Sequence, residues 1–395
     1  MYLSIPHNWQ LDLVDSLKIK DPMEFYGKLD ADILGGGRPT NISPYVSREL
    51  MQREISKIHK RGMVFNYLLN SVCLANTEVS GPIRKEVLCL FDWLESLSVK
   101  AVTVSMPYLL GFIKKHYPRF SINVSTMAQV DSPDKAKFWE DLGANKITLY
   151  EVNVNRNFDL ITKIRRRVKC ELQLIVNNGC LYNCPFTFYH SLLCSHASQK
   201  GHVLRGFAID FYRISCSYLR ARDPVNYIRA DWIRPEDVHY YESLGIDSLK
   251  MVNRGMTTES IMRIVRAYSD RSYEGNLLDL MPSPDKNISF NKRDIWHFLK
   301  FFLRPQMANI FKLIKIKKLF PSMKNIVYID NKKLNGFLLS LQNKKCDLML
   351  CDKCQFCANI AAEAVVVDGA RTNELIKDME EFVDECTSGK LFKYS

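Results

Sequence analysis

Over roughly the first 270 residues, short β-branched runs alternate with amphipathic stretches, and this alternation leaves few architectures open. The runs are 31–34, 64–69, 101–105, 121–126, 146–150, 171–176 and 248–252. Helical patterns fill 47–61, 82–97, 132–142, 158–168 and 234–244. Ser132 before Pro133 has the form of an N-cap with proline in the first turn, and Glu236 falls early in its helix. Gly62, Gly143 and Gly245 each stand between a helix and the next run, where a left-handed residue ends a helix. Such alternation needs a parallel sheet, because parallel neighbours are joined by crossover helices. The sheet is either doubly wound or closed, and the number of units favours closure. The predicted class is α/β: a TIM-like parallel β/α barrel over 1–275, a basic, partly helical segment over 276–345, and a Cys-rich metal-binding extension over 346–395.

The pattern changes after Tyr273. Residues 294–320 are aromatic and basic and are broken by Pro305, 325–330 reads as one more strand, and 372–386 as an acidic helix. Charge is placed just as unevenly. The chain carries +12, yet residues 281–345 hold 14 Lys and Arg against 3 Asp and Glu, leaving 41 against 40 elsewhere. Within that segment Phe298, Phe301 and Phe302 share one helical face, beside Trp296 and Phe311. That spacing favours a layer packed on the barrel with Lys312, Lys315, Lys317 and Lys318 in solvent. The other reading is a docking surface for an acidic partner, carrier protein or peptide, or for an anionic membrane. Nucleic acid is disfavoured, since no RNA-binding motif accompanies the charge. With 47% hydrophobic and 25% charged residues, disorder, collagen and coiled coil are excluded as the main architecture. No apolar run reaches the ~18 residues of a membrane span. The opening MYLSIPHNWQLDLVD is no secretory signal, so the expectation is a cytoplasmic protein.

Twelve cysteines in such a chain point to metal or redox chemistry before disulfides. Cys180 and Cys184 follow the run 171–176 on a loop with Gly179, Asn183 and Pro185, and Cys194 and Cys216 come after. In a parallel barrel that loop opens on the active-site face. Soft thiolates there suit an iron–sulfur cluster or zinc. Cys73, which follows the run 64–69 on the same face, competes with Cys194 as fourth ligand. A radical S-adenosylmethionine motif is rejected, because Thr187 stands where its third cysteine belongs. The second group, Cys346, Cys351, Cys354 and Cys357, has two-residue spacings that turn neighbouring thiolates inward on one tight loop. It predicts a second 4Fe-4S cluster or a zinc site. Cys89, Cys170 and Cys386 lie within helix or strand patterns and read as structural.

Polar residues gather at the ends of the runs. Arg38 follows Gly35–Gly36–Gly37, suited to a carboxylate or phosphate; no P-loop Lys-Ser/Thr is present. Asn70, Gln129, Glu151, Asn177, Lys250 and Arg254 lie at or past other strand ends, making a candidate catalytic ring. His190 and His196 flank Cys194 as acid/base, ligand or loop residues. No Ser-His-Asp or Cys-His nucleophile pattern and no His-Glu-x-x-His is legible, so hydrolysis has no machinery visible in the sequence.

With those residues in view, the chain resembles peptidase family U-32, the collagenase-like proteins of unassigned catalytic type. The resemblance rests on Asp32-Ile-Leu-Gly-Gly-Gly-Arg-Pro, Phe65-Asn-Tyr-Leu-Leu-Asn, Asn177-Asn-Gly-Cys-Leu-Tyr-Asn-Cys-Pro-Phe, and Trp232-Ile-Arg-Pro-Glu-Asp with Lys250. It spans about residues 1–270, and the Cys180 segment is its most specific part. It implies a TIM-like barrel and an oxygen-sensitive 4Fe-4S cluster, as in the branches that hydroxylate ubiquinone precursors and RNA without oxygen. By residue, it puts Cys180, Cys184 and Cys216 on the cluster cysteines, with Cys194 or Cys73 as the fourth. The 346–357 quartet departs from those branches, so substrate and reaction are left open among a small molecule, a peptide and RNA. The resulting expectation is an iron–sulfur enzyme of oxygen-independent hydroxylation or a related redox step. A metal-dependent peptidase or maturation protease is the alternative, and a non-enzymatic iron–sulfur accessory protein a third.

Overall fold

Eight strands close into one parallel barrel in chain order: β1 (Tyr2–Pro6), β2 (Met23–Gly27), β3 (Val64–Leu69), β4 (Ala101–Val104), β5 (Ser121–Val124), β6 (Lys146–Thr148), β7 (Glu171–Ile175) and β8 (Ser248–Lys250). β8 returns to β1 with Tyr2 opposite Ser248 and Ser4 opposite Lys250, which removes both sheet edges. The structure is a computed structural model that describes residues 1–17, 23–205, 208–282, 309, 311–312, 319, 323–344, 346 and 351–393. Outside the strands lie α1 (Leu13–Ser16), α2 (Arg48–Lys60), α3 (Gly81–Ser96), α4 (Pro107–His116), α5 (Pro133–Leu142), α6 (Glu151–Val154) and α7 (Phe158–Arg167). The long β7–β8 connection carries α8 (Thr187–His196), α9 (Phe211–Arg222), α10 (Val225–Arg229) and α11 (Val238–Ser243), and α12 (Thr258–Asp270) follows β8.

The local signals act as their chemistry requires. Ser47 and Ser132 accept hydrogen bonds from the backbone N–H groups of Leu50 and Lys135, capping α2 and α5. Gly62, Gly143 and Gly245 stand at φ of +73°, +107° and +79° just past their helices.

Two strands differ from expectation. The run 31–34 is loop, where Asp32 makes only an isolated bridge to Gln199, and β1 and β2 are the strands the pattern hid. The reason is a polar barrel interior. Glu24 of β2 is buried and accepts from Ser4 at 2.7 Å and from Lys146 at 2.7 Å, with Asn66 and Asn123 at 3.3 and 3.5 Å. Burial opposes ionisation of Glu24, but Lys146 and Ser4 hold its carboxyl below the usual range. An acid inside a strand does not read as a strand until its lysine is found on β6.

The C-terminal region is anchored on the barrel wall. A hairpin of β9 (Val327–Ile329) and β10 (Val365–Val367) precedes and follows α13 (Phe337–Gln342), α14 (Cys351–Cys354) and α15 (Phe356–Ala364), and α16 (Gly369–Thr387) comes last. Arg234 is the anchor: fully buried, it donates to Asn331 Oδ1 at 2.9 Å, to the Leu334 carbonyl at 2.6 Å and to Asn335 Oδ1 at 2.6 Å. α16 packs on α9, and α15 on α10. Of the basic segment, Phe311 is described and exposed, and Lys312 pairs with Glu385 at 2.7 Å. Trp296, Phe298, Phe301, Phe302, Lys315, Lys317 and Lys318 lie outside the described residues.

Candidate active site at the barrel mouth

The β7–β8 insertion is fastened across the mouth by loops from the opposite wall. Gly35 has φ +68°, and a Cβ there would sit 3.0 Å from the Ser195 carbonyl, so only glycine fits against the end of α8. Gly36 N–H donates to Ser198 Oγ at 2.8 Å, Val72 N–H to Ser195 Oγ at 3.0 Å, and Gln199 Nε2 to Ser71 Oγ at 3.0 Å. These bonds fasten the C-terminal end of α8 to the loops that follow β2 and β3. Arg220 on α9 donates to the Gly179 carbonyl, which ties α9 to the cysteine loop.

Cys180, Cys184 and Cys216 face one another in this corner, each close enough to perturb another's thiol. Cys180 is exposed on its loop, yet the protein around its sulfur, the Glu151 carboxylate and the thiols of Cys216 and Cys184 push it up to about 12. Burial raises Cys216 as well, and its Sγ donates to the Arg213 carbonyl at 3.2 Å. Burial and neighbouring negative groups favour the protonated form of these thiols, so they would serve as metal ligands only by giving up those protons. Beside them, Glu151 accepts from Thr126 and, at 2.8 Å, from Asn178, while burial raises its carboxyl. Burial and Glu151 likewise push the Tyr150 hydroxyl up to about 12.

The floor of the mouth is cationic. Lys28 is matched by Asp32 at 2.8 Å, and Lys146 by Glu24. Arg38, Arg254 and Lys250 have no carboxylate within ion-pair distance among the described residues. Arg38 bonds the Asn253 side-chain oxygen, and burial together with repulsion from Arg254 brings its guanidinium down to about 9. Arg254 is buried, and its Nη1 has no hydrogen-bond partner. Lys250 Nζ lies 4.3 Å from the centre of the Tyr26 ring, and burial lowers it to about 8 against the pull of Glu24. Cations crowded out of water without counter-charges are an anion site.

His190, Cys194 and Asp210 form a chain that sequence reading missed. His190 Nε2 lies 3.6 Å from Cys194 Sγ, and its Nδ1 lies 2.9 Å from Asp210. No convincing cysteine–histidine arrangement was legible in the sequence, and the fold sets these three side chains in contact. His190 and Cys194 are one helical turn apart on α8, but Asp210 comes from the N-cap of α9, and that meeting is tertiary. The N-cap signal at Asp210 was available; its second partner was not.

The remaining candidates divide. Asn70 bridges the mouth loops, accepting from Gly37 N–H and donating to Ser125 Oγ, both at 3.2 Å. Asn177 clasps Val252 and donates to the Leu280 carbonyl at 2.8 Å, a structural duty. Gln129 sits at φ +52° capping a turn, and its carbonyl accepts from Lys135. His196 stacks on His202 with ring centres 4.6 Å apart. Cys73 is held against its own loop by the Ala75 N–H at 3.2 Å. On the C-terminal extension, Cys346 and Cys351 lie within electrostatic reach of Cys357, and burial raises Cys357 to about 11 against the nearby Arg156. Cys354 ends α14, one turn from Cys351.

The family model "Peptidase family U32" matches residues 43–276. An uncharacterised protease of Methanocaldococcus jannaschii is 30% identical over 336 residues, covering 85% of this chain and 87% of that protein. The solved U32 peptidase Mk0906 is 22% identical with a TM-score of 0.48, over 64% of this chain and 91% of that one. A chitinase of Rhizomucor miehei is similar at 12% identity and a TM-score of 0.35, over 68% of this chain and 99% of its own.

Proposed function

The chain belongs to peptidase family U32, and on that premise we propose that its barrel mouth is a redox centre: a 4Fe-4S cluster held by Cys180, Cys184 and Cys216 serves an oxygen-independent modification, of hydroxylation type, of a small anionic substrate. The observation that carries this reading is the meeting of three unpaired thiols from a loop and a distant helix beside a buried carboxylate and a cationic floor. The donor set fits, since soft thiolates are the ligands such a cluster takes. When bound, the cluster supplies one-electron chemistry. The protein's own share is positional. Arg38, Arg254 and Lys250 hold the anion, Glu151 stands beside the thiol corner with its proton affinity raised by burial, and Asn178 and Thr126 aim its two oxygens. On the extension, Cys346, Cys351, Cys354 and Cys357 suit a second cluster or zinc, whose part is electron transfer or bracing.

Anaerobic purification followed by iron and sulfide quantification tests the centre. Cys184→Ala should lose the brown chromophore and the mouth iron together; unchanged iron in that variant would overturn the proposal. Hydrolysis, the activity in the family's and the relative's names, is a second reading, favoured by one observation: the chain of contacts from Cys194 through His190 to Asp210.

A further inference from the structure

We infer that Cys194 is a nucleophilic thiol, with His190 as its base and Asp210 as the group that orients the base, acting on small acyl esters or amides that carry a carboxylate. The geometry meets each requirement of such an assembly. The sulfur and the imidazole are in contact at 3.6 Å, and the other ring nitrogen is 2.9 Å from a carboxylate. Asp210 is itself fixed, because it also accepts the Arg213 N–H at 3.0 Å. α8 cannot drift from the mouth, since Gly35, Gly36 and Val72 lock its end.

The substrate class follows from access and charge. Cys194 is only 3% exposed, too enclosed for a folded polypeptide to reach it, so the inferred substrate is a small molecule. Arg38 lies within electrostatic reach of the sulfur and has no carboxylate of its own, so a substrate carboxylate is its natural partner. The His190 imidazole faces the sulfur with its other ring nitrogen held by Asp210, placed to take the thiol proton. The thiolate is the reactive form of cysteine, and an imidazolium is the partner that papain-like sites give it.

The chemistry needs only water as co-reactant. His190 takes the thiol proton as Cys194 Sγ attacks the acyl carbon and forms a C–S bond; the C–O or C–N bond to the leaving group breaks, and that group takes the proton from His190. His190 then accepts a proton from water as the water oxygen attacks the thioester. The C–O bond of the product acid forms, the C–S bond breaks, and His190 returns the proton to the Cys194 sulfur. No electrons change hands, so the step is independent of any metal at Cys180, Cys184 and Cys216.

The test uses the anaerobically purified full chain and p-nitrophenyl acetate, followed by p-nitrophenol release and peptide mass spectrometry. A burst with one acetyl group on Cys194 is expected. His190→Gln should slow that acylation by about a hundredfold or more, and Asp210→Asn should slow it while shifting its pH profile. Cys194→Ser should lose the burst and keep the iron. If Cys194→Ser does not fold, the His190→Gln rate decides. Acetylation of Cys194 no faster than that of the exposed Cys89 overturns the inference. So does loss of iron and sulfide in Cys194→Ser, which would make the residue a cluster ligand, or stoichiometric zinc bound by His190 and Cys194. Failure of the cluster reading leaves the burst untouched, so the two proposals fail separately.

Discussion

The two cysteine groups are opposites in how they are built. Cys346, Cys351, Cys354 and Cys357 fall within one short stretch, so their meeting is a matter of local turns such as the left-handed Gln355 at φ +52°. Cys180, Cys184 and Cys216 meet because a barrel places one loop and one helix, and Arg220 joins them. Yet the local group is not free-standing. Phe356, next to Cys357, stacks on Phe337 with ring centres 5.7 Å apart, and Phe337 lies against Trp232 under the Arg156 guanidinium. Glu151, beside the mouth thiols, and Arg156, beside Cys357, bracket α6 at its two ends. Spacing thus marks a candidate group of thiols, and only tertiary structure reveals what it leans on.

The largest effect should come from cutting the anchor. Arg234→Ala leaves the buried acceptors on Asn331 and Leu334 without a donor and removes the bond to the exposed Asn335, at a cost of about 3 kcal/mol or more. Its melting temperature should fall by several degrees and limited proteolysis should release the extension; an unchanged melting curve would show that the extension docks without it. Next in size is the metal account. In Cys184→Ser the mouth metal should disappear while the extension keeps its own, and Cys354→Ser should do the reverse. Loss of both metals from either variant would mean one site depends on the other, and the contrast drawn above would fall.

A smaller effect is a pH dependence confined to the mouth. Lys250 is charged below about 8 and neutral above it, so its help in holding an anion is present at lower pH and lost as pH rises through that value. Sulfate titrated against intrinsic fluorescence should bind more weakly above pH 8, and Lys250→Met should flatten that profile. A profile unchanged by the substitution would assign the anion site to the arginines alone. Smallest is Ser132→Ala, which removes the α5 cap at a cost of about 1 kcal/mol. Calorimetry should register that loss with both metals retained; a metal lost here would mean that general destabilisation mimics the site-specific variants.

Legibility in the sequence followed the range of each interaction. Glycine stops, serine caps and apolar runs are local, so six of the barrel strands and the helices between them could be read directly, as could the C-terminal cysteine spacing. β2 was hidden because Glu24 is an interior acid whose partner Lys146 is 122 residues away. Asp210 was hidden for a similar reason: an N-cap has one evident duty, and its second, on His190, needs α8 and α9 side by side. The unpaired Nη1 of Arg254 is a property of three-dimensional crowding that no motif encodes.

The closure of β8 on β1 also sets a timetable. Tyr2 cannot find its partner until Ser248 has been made, which at ribosomal speeds of about 5–20 residues per second is a wait of roughly 10–50 s. During that interval β1 carries an open edge, the kind of surface that invites aggregation and that chaperones guard. Cys180, Cys184 and Cys216 all emerge within it, before the barrel seals, whereas the thiols of the extension come only afterwards. A nascent chain of this design offers its inner thiols to the cell while it is still open, and its outer ones after the wall that supports them already stands.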